Sequence, residues 1–331
     1  MRKRIACLIP LALVICIMMV GSLAGCDMLQ PLFSDSQPEV TATPSPVETS
    51  AAPSPIISPS PAPTPWVEPP PPAAPGQLEV TVVDVGHGDC IYVKSPSGKV
   101  MLIDAGESTA WDQVRDFLDY RGVSRIDVLV ASHPHTDHIG AMDSVVKHYD
   151  IGEVYMPEKS HTTDDFANLV KAMQKKDLTA TSAKAGMTIA LDKKLKCSIL
   201  APIGKEYKDI NDYSIVLKIT YGKTSFLLAA DATKVSDTEM VKKYGTKLKA
   251  DVLKVAHHGN EDSSSPAFLA FVKPEYAAIS EKDIREYADP QARLDSYRRF
   301  TDIGATVFRT DANGAITFYS DGKTVTVKTA R

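Results

Sequence analysis

The densest group of chemically useful side chains in this chain is a run of six residues that contains His133, His135, Asp137 and His138. In an extended loop, positions i and i+2 face the same side, so His133 and His135 can direct their nitrogens to one point. Asp137 and His138 come where the next helix is predicted to begin, and can serve a second point beside the first. Imidazole and carboxylate groups suit zinc, and manganese or iron less specifically. The run therefore predicts a metal site; a hydrophilic loop with chance histidines is the weaker alternative.

The elements that must position this run are strands and helices in alternation. Apolar residues 126–131 predict a buried strand directly before the run, and 139–148 predict a helix directly after it. Further strands are predicted at 78–83, 90–94, 100–103, 194–200, 214–221, 225–230, 252–256, 276–280, 306–309, 315–319 and 324–328, and helices at 111–120, 165–175, 235–244, 266–272 and 291–300. This mixture, with hairpins near both ends, indicates sheets covered by helices on their outer faces.

The first 25 residues have the composition of a secretory signal. Residues 2–4 are basic, 5–20 are apolar apart from Pro10, and 23–26 read Leu-Ala-Gly-Cys, which resembles a bacterial lipobox. The resemblance implies cleavage before Cys26 and diacylation of its sulfur. A transmembrane anchor or a plain signal is the alternative. In each case we expect the rest of the chain outside the cytoplasm, and in the first case anchored to the bacterial cell membrane as a lipoprotein.

A segment of different composition follows this signal. Residues 26–76 are dense in Pro, Ser, Thr and Ala. Such a segment cannot bury enough apolar surface to fold, and proline favours an extended spacer. We expect it to be a disordered tether that holds a folded domain, residues 77–331, off the membrane.

Charge and cysteine content limit the class of protein. The formal net charge is −4, so bulk basicity does not indicate a nucleic-acid partner, although a local patch would suffice for an enzyme that touches a few phosphates. Among the five cysteines, Cys90 and Cys197 fall in the expected domain, both in apolar predicted strands. We expect buried free thiols there, and one disulfide is the alternative.

The run at 133–138, directly after a predicted strand, resembles the His-x-His-x-Asp-His signature of the metallo-β-lactamase superfamily. Residues 100–106 resemble its first motif, Asp231 matches its bridging carboxylate, and His257 and His258 match its last histidine motif. A closer resemblance is to the catalytic domain of ComEC-like competence proteins, which act in DNA uptake. The residues that carry it are 83–89, 132–140, 253–259 and 309–316, and the match covers 78–327.

This resemblance implies an α/β fold, the four-layer αββα sandwich, with the site at one edge between the two sheets. It implies one or two Zn²⁺ or Mn²⁺ ions, held by His133, His135, Asp137, His138, Asp231 and His257 or His258. The superfamily usually supplies another histidine before the bridging aspartate, where this chain has Asn211. Asn211 or water is therefore expected to complete the first metal site, and a one-metal enzyme is the alternative.

Three residues are candidates for roles in catalysis. Asp137 is implied to be a second-site ligand that can also orient water. Asp89 can position a ligand or the water, or cap a turn. His87 stands where the group usually has Gln, and can be a ligand, a proton carrier or a structural loop histidine. Asp104 is expected to support a ligand histidine from behind.

The leading hypothesis from this resemblance is phosphodiester hydrolysis, with extracellular DNA or nucleotides as the substrate. The candidate phosphate contacts are Lys254, Arg293, Arg298 and Arg309, with ordinary surface charge as the alternative for each. A second hypothesis is hydrolysis of another ester, amide or thioester, including a lactone or lactam. A third is a binding lipoprotein without catalysis. No protein partner is indicated.

Overall fold

The computed structural model describes residues 67–331. The expected signal, the lipid-bearing Cys26 and the tether up to residue 66 lie outside these residues. In the part of the chain that is described, no helix is long and apolar enough to cross a bilayer.

Within 67–331 the strands are β1 (Leu78–Val82), β2 (Ile91–Lys94), β3 (Val100–Ile103), β4 (Arg125–Val130), β5 (Asp150–Pro157), β6 (Ala180–Ala183), β7 (Thr188–Ile189), β8 (Leu195–Ala201), β9 (Val216–Tyr221), β10 (Thr224–Leu228), β11 (Val252–Lys254), β12 (Tyr276–Ile279), β13 (Thr306–Arg309), β14 (Ile316–Ser320) and β15 (Val325–Thr329). The α-helices are α1 (Trp111–Tyr120), α2 (Thr136–Ile139), α3 (Met142–His148), α4 (Asp164–Lys175), α5 (Lys234–Tyr244), α6 (Pro266–Val272), α7 (Pro290–Ser296), α8 (Arg298–Thr301) and α9 (Thr310–Asn313).

These strands form two sheets. One has the order β15-β14-β1-β2-β3-β4-β5-β6, and the other has the order β13-β12-β11-β10-β9-β8-β7. Strands β3 to β6 run parallel to one another, as do β10 to β13, and a helical crossover connects each successive pair. The remaining pairs are antiparallel.

The buried side chains fall into three layers. Val80 and Ile199 belong to the layer between the two sheets. Phe117 of α1 belongs to the layer between the first sheet and its helices, and Phe268 of α6 to the equivalent layer on the second sheet. Helix, sheet, sheet and helix thus succeed one another, which confirms the expected αββα sandwich.

The parallel strands bring the candidate ligands to one edge of the sandwich. The run at 133–138 follows β4, Asp231 follows β10, and His257 and His258 follow β11. The carboxyl ends of parallel strands lie at the same edge of a sheet, where sites of α/β proteins occur. The fold therefore assembles residues that are more than a hundred positions apart in the sequence.

Residues 67–76, the last part of the expected tether, pack against the sandwich. Pro69 and Pro70 are buried. The hydroxyl of Tyr319 donates to the carbonyl oxygen of Pro71 at 2.6 Å, and the backbone N–H of Ala73 donates to Glu79 at 2.8 Å. The packed part of the chain thus includes residues that precede Gln77.

Local structure departs from the sequence prediction in several places. The expected helix over 291–300 is two helices, α7 and α8, and the short helix α9 is not indicated by the sequence. The expected helix over 139–148 is divided between α2 and α3, because the backbone leaves helical geometry at Ala141, which has φ of −93° and ψ of 0°. Strands β5, β6 and β7 were not predicted; β6 is a short edge strand with mostly exposed side chains, so it lacks an apolar pattern. Cys90 and Cys197 are buried free thiols in different layers, as expected.

Candidate metal centre

Four side chains form one group of donors, which we call the second site. They are Asp137, His138, Asp231 and His258, and one ligand atom of each lies within 4.8 Å of the others. Nε2 of His138 is 3.2 Å from Oδ2 of Asp231, and Nε2 of His258 is 3.3 Å from Oδ2 of Asp137. The structure therefore places His258, of the two adjacent histidines, beside Asp137.

The remaining donors lie on the other side of Asp231, and we call them the first site. Nε2 of His133 is 3.1 Å from Nδ1 of His135 and 3.8 Å from Oδ2 of Asp231. Nε2 of His257 is 3.9 Å from that oxygen and 3.5 Å from the side-chain nitrogen of Asn211. His257 thus lies on the side of the first site where a histidine is missing from the sequence motif. The sequence predicts Asn211 or water at this place, and the structure puts Asn211 next to His257.

The orientation of His257 suits a metal ligand. Its Nδ1 is 2.9 Å from Oδ1 of Asp262, which leaves Nε2 directed towards Asp231. A carboxylate behind one ring nitrogen is the usual support of a metal-bound histidine. The backbone also contributes, because His257 and His258 both have positive φ, 49° and 51°. Two consecutive residues can therefore present Nε2 to one carboxylate oxygen, at 3.9 and 3.6 Å.

Asp104 supports His138 from behind the second site. Its Oδ2 is 2.8 Å from Nδ1 of His138. The same carboxylate accepts hydrogen bonds from the backbone N–H and the hydroxyl of Ser132, at 2.7 and 2.6 Å. Asp104 is therefore placed to orient His138, a candidate ligand.

Asp89 lies behind the second site and is fully buried. Its Oδ2 is 2.8 Å from Nζ of Lys254, and its Oδ1 is 3.6 Å from Nδ1 of His258. Of the roles considered for Asp89, the geometry favours support of a ligand. Lys254 is also fully buried, so its interpretation as a phosphate contact or a surface charge is wrong.

The three arginines proposed as phosphate contacts are engaged with neighbours. Arg293 donates to Glu281 and to the backbone oxygen of His258, and Arg309 pairs with Asp311 at 2.9 Å. Arg298 is the exposed member, with 71% of its side chain accessible, and pairs with Asp295 on the surface. Arg293, whose side chain is only 9% exposed, is therefore structural.

Replacing Lys254 by methionine is expected to lower the free energy of unfolding by about 3–5 kcal/mol, because it leaves the charge of Asp89 buried and unpaired. Urea unfolding of the metal-free chain measures this. The control is Lys247→Met at an exposed position, expected to change stability by less than about 0.5 kcal/mol. Equal midpoints for the two variants would show that the Asp89–Lys254 pair does not stabilise the fold.

The electrostatics of the cluster show that the donors fit a cation. Burial lowers the pKa of His138, but the carboxylates of Asp231 and Asp104 outweigh burial and hold that pKa well above its usual range. Among the residues described, buried polar atoms without a hydrogen-bond partner include Nε2 of His138 and His258 and Oδ1 of Asp231 and Asn211. Buried carboxylates and unpartnered imidazole nitrogens directed at one region are what a divalent cation requires.

Protons and a cation are expected to compete for this cluster. Burial lowers the pKa of His258, but Asp231 and Asp137 outweigh burial and raise it to about 10. Cation affinity should rise between pH 6 and 9, by about tenfold per pH unit for each proton displaced. In the metal-free chain, charged His258 stabilises the fold fully below about pH 6.5, and this stabilisation is lost as the pH rises towards about 10. Calorimetric titration of the cation in buffers of different ionisation enthalpy counts the protons that binding displaces. A cation affinity that does not depend on pH would contradict competition between protons and the cation.

The cluster opens to solvent through its partly exposed histidines. His87 has 38% of its side chain exposed, and its Nε2 is 3.5 Å from Oδ2 of Asp137. His161 was not predicted as a site residue, yet its ring centroid lies 6.0 Å from that of His135. It follows β5, an unpredicted strand that ends at the same edge of the sheet. Because the sequence does not indicate β5, it carries no local signal for the position of His161.

Comparisons with known proteins agree with this geometry. Residues 83–280 match the family model of the metallo-beta-lactamase superfamily. The chain is 28% identical over 265 residues to ComE operon protein 3 of Bacillus subtilis strain 168, covering 75% of this chain and 34% of that protein. It is 29% identical over 245 residues to competence protein ComA of Neisseria gonorrhoeae, covering 73% and 32%. The chain thus spans about a third of the length of these relatives.

The fold also has a solved counterpart. The E377D mutant of the CmlA beta-hydroxylase superposes with a TM-score of 0.50 at 17% identity, covering 74% of this chain and 54% of that one. The family match extends over more than half of the chain and includes every candidate ligand from His133 to His258. The chain belongs to the metallo-beta-lactamase superfamily.

Proposed function

We propose that this protein is an exported, membrane-tethered hydrolase that uses Zn²⁺ or Mn²⁺ to cleave phosphodiester bonds in extracellular DNA or nucleotides. The fold and the His/Asp cluster are those of a metal-dependent hydrolase. The observation that carries the proposal is that two groups of donors share one buried carboxylate, Asp231. Such an arrangement offers places for two cations side by side.

The chemistry follows from what such a pair supplies. When bound, two neighbouring cations would stabilise the negative charge that develops during hydrolysis and would lower the pKa of the attacking water. Asp137 and His87, in contact with each other at the opening, can orient that water and carry its proton to solvent. His133, His138, Asp231 and His258 are buried, so they hold the site but do not meet the substrate directly.

Two features support a phosphodiester substrate. One of the relatives described above is named a competence protein, and the resemblance to ComEC-like proteins implies DNA. Lys159 and Lys282 follow β5 and β12 at the ligand-bearing edge, and each lies over an aromatic ring, at 4.8 Å from the Tyr213 centroid and 4.7 Å from the Tyr287 centroid. These lysines replace the buried Lys254 and Arg293 as candidates for phosphate contact. Lys282 also pairs with the exposed Glu286, at 3.8 Å.

The proposed location rests on the sequence of the first 76 residues. A lipid on Cys26 would anchor the chain, and the Pro-rich segment would hold the domain away from the membrane. Cys26→Ala is expected to release the protein from the membrane fraction. Persistent membrane association of this variant would instead indicate a transmembrane anchor.

Substrate and metal can be tested together on the full chain. Bound metal is measured first, and then turnover of single-stranded DNA, bis(p-nitrophenyl) phosphate and a lactam with Mn²⁺ or Zn²⁺. Asp137→Ala is the test variant, and Asp164→Ala, an exposed carboxylate on α4, is the matched control. Turnover of the phosphodiesters, lost in Asp137→Ala alone, is the expected result. Lactam turnover without phosphodiester turnover would select the second hypothesis, and the absence of both metal and turnover would select a binding lipoprotein.

A further inference from the structure

The loop that carries the last two ligands has an unfavourable backbone. This ligand loop, Ala256–Gly259, contains His257 and His258 in the left-handed region, with φ/ψ of 49°/46° and 51°/24°. Residues with a Cβ rarely adopt this conformation, and it persists only where the surrounding structure enforces it. Some contact must therefore hold the loop.

Arg293 of α7 makes the contact that the loop requires. Its Nη2 donates to the backbone oxygen of His258 at 2.7 Å, and its Nη1 donates to the side-chain oxygen of Asn260. Its Nε donates to Glu281 at 3.0 Å. All three nitrogens of a guanidinium that is only 9% exposed are thus used within the protein.

Glu281 holds this guanidinium in place from the other side. It is fully buried and also accepts hydrogen bonds from the hydroxyls of Tyr287, at 2.7 Å, and Tyr297. The residue before it, Ser280, has its carbonyl oxygen 3.2 Å from Nδ1 of His258. The end of β12 therefore orients the His258 ring directly and its backbone through Arg293.

Two further contacts confine the same loop. Arg299 donates to the backbone oxygens of Gly259 and Asn260 at 2.9 and 2.8 Å. The ring of Tyr297 packs against Gly259, which has φ of 81° and no room for a Cβ, since that atom would lie 2.5 Å from Cε1 of Tyr297. These contacts enclose the loop, but Arg293 is the group that binds the carbonyl of the ligand residue itself.

We infer that Arg293 is a positioning residue: held by Glu281, it keeps the ligand loop in its left-handed conformation and so sets the affinity of the second site for its cation. The inference rests on the proposed function only in requiring that a cation binds there. It is independent of the substrate.

Electrostatic repulsion alone predicts the opposite change in cation affinity, so the direction of that change decides between the two effects. The positive charge of Arg293 contacts the backbone oxygen of His258, whose side chain is a candidate ligand of the cation. Removing that charge should strengthen cation binding if Coulomb repulsion were its main effect. Loss of positioning should weaken cation binding, because His258 would no longer be held facing Asp137 and Asp231.

The experiment is a calorimetric Mn²⁺ titration of the full chain, wild type against Arg293→Met and Arg293→Lys. The control is Arg298→Met, which removes an exposed arginine from the neighbouring helix α8. We expect the dissociation constant of the second site to rise by about 10–100-fold in both Arg293 variants, as for other supports of metal ligands, and to stay within about twofold in the control. The visible spectrum of the Co²⁺-loaded chain should change in the same two variants.

Arg293→Lys keeps a charge opposite Glu281 but cannot form the paired contacts of a guanidinium, so it decides the inference if Arg293→Met does not fold. An unchanged or tighter dissociation constant in the folded Arg293→Lys chain would overturn the inference while leaving the proposed function intact. A wild-type chain that binds neither Mn²⁺ nor Zn²⁺ would overturn both.

Discussion

Replacing Asp231 by alanine is expected to remove both cation positions at once and to abolish hydrolysis. Its Oδ2 lies within 3.9 Å of Nε2 of four histidines, two from each site. Loss of this carboxylate leaves the first site without an anionic ligand, and the second with Asp137 alone. Cation affinity should therefore fall by more than the roughly 10–100-fold that loss of a supporting hydrogen-bond partner costs.

Metal content after dialysis and the turnover of the wild-type substrate measure this effect. Asp104→Asn is the graded control, because Asp104 supports His138 without facing either site, and it should show only the smaller loss. The metal-free Asp231→Ala chain should also be less thermally stable than the wild type near neutral pH, because Asp231 is one of the carboxylates that raise the pKa of His138. Retention of two cations per chain by Asp231→Ala would refute the assignment of Asp231 as the shared ligand.

The part of this site that could be predicted from the sequence is the part encoded locally. His133, His135, Asp137 and His138 follow a strongly apolar strand, so both their spacing and their placement at a strand end are visible in one short window. Asp231 was recognised through the family motif. Its position opposite the run depends on the parallel pairing of β10 with β11 in a second sheet, which no local pattern specifies.

The features that could not be predicted depend on contacts between distant residues. Lys254 lies in an apolar strand and looks like a solvent-facing charge, but its partner Asp89 is 165 positions away. His161 stands alone in the sequence and reaches the site only because β5 ends beside β4. A pattern of residue types cannot state these pairings, because burial of a charge is favourable only when its partner is in place.

The role of His257 is the clearest case of information that resides in the backbone. Two adjacent histidines in a strand or helix would point in different directions, and the sequence left open which one is a ligand. The left-handed conformation of both residues directs both Nε2 atoms to Asp231. We therefore expect each histidine to belong to a different cation position.

His257→Ala is accordingly expected to reduce the number of tightly bound cations from two to one and to leave the second site occupied. Nε2 of His257 is the third imidazole nitrogen at the first site, beside those of His133 and His135. Asp262 holds the His257 ring in the required orientation. Metal analysis and calorimetry give the count. The matched control is His161→Ala, which removes a partly exposed histidine from the same opening, near His135, and should keep two cations.

If the His257→Ala chain retained two cations, Asn211 would be the fourth ligand of the first site, beside His133, His135 and Asp231. Its side-chain oxygen has no hydrogen-bond partner among the described residues, and its nitrogen lies 3.5 Å from His257. Asn211→Leu would then lose the first cation while Asn211→Asp would tighten it, because a carboxylate binds a divalent cation more strongly than a neutral amide does. If His257 is the ligand, the loss of one cation in His257→Ala should instead be reproduced in weaker form by Asp262→Ala, which leaves the imidazole in place but removes its support.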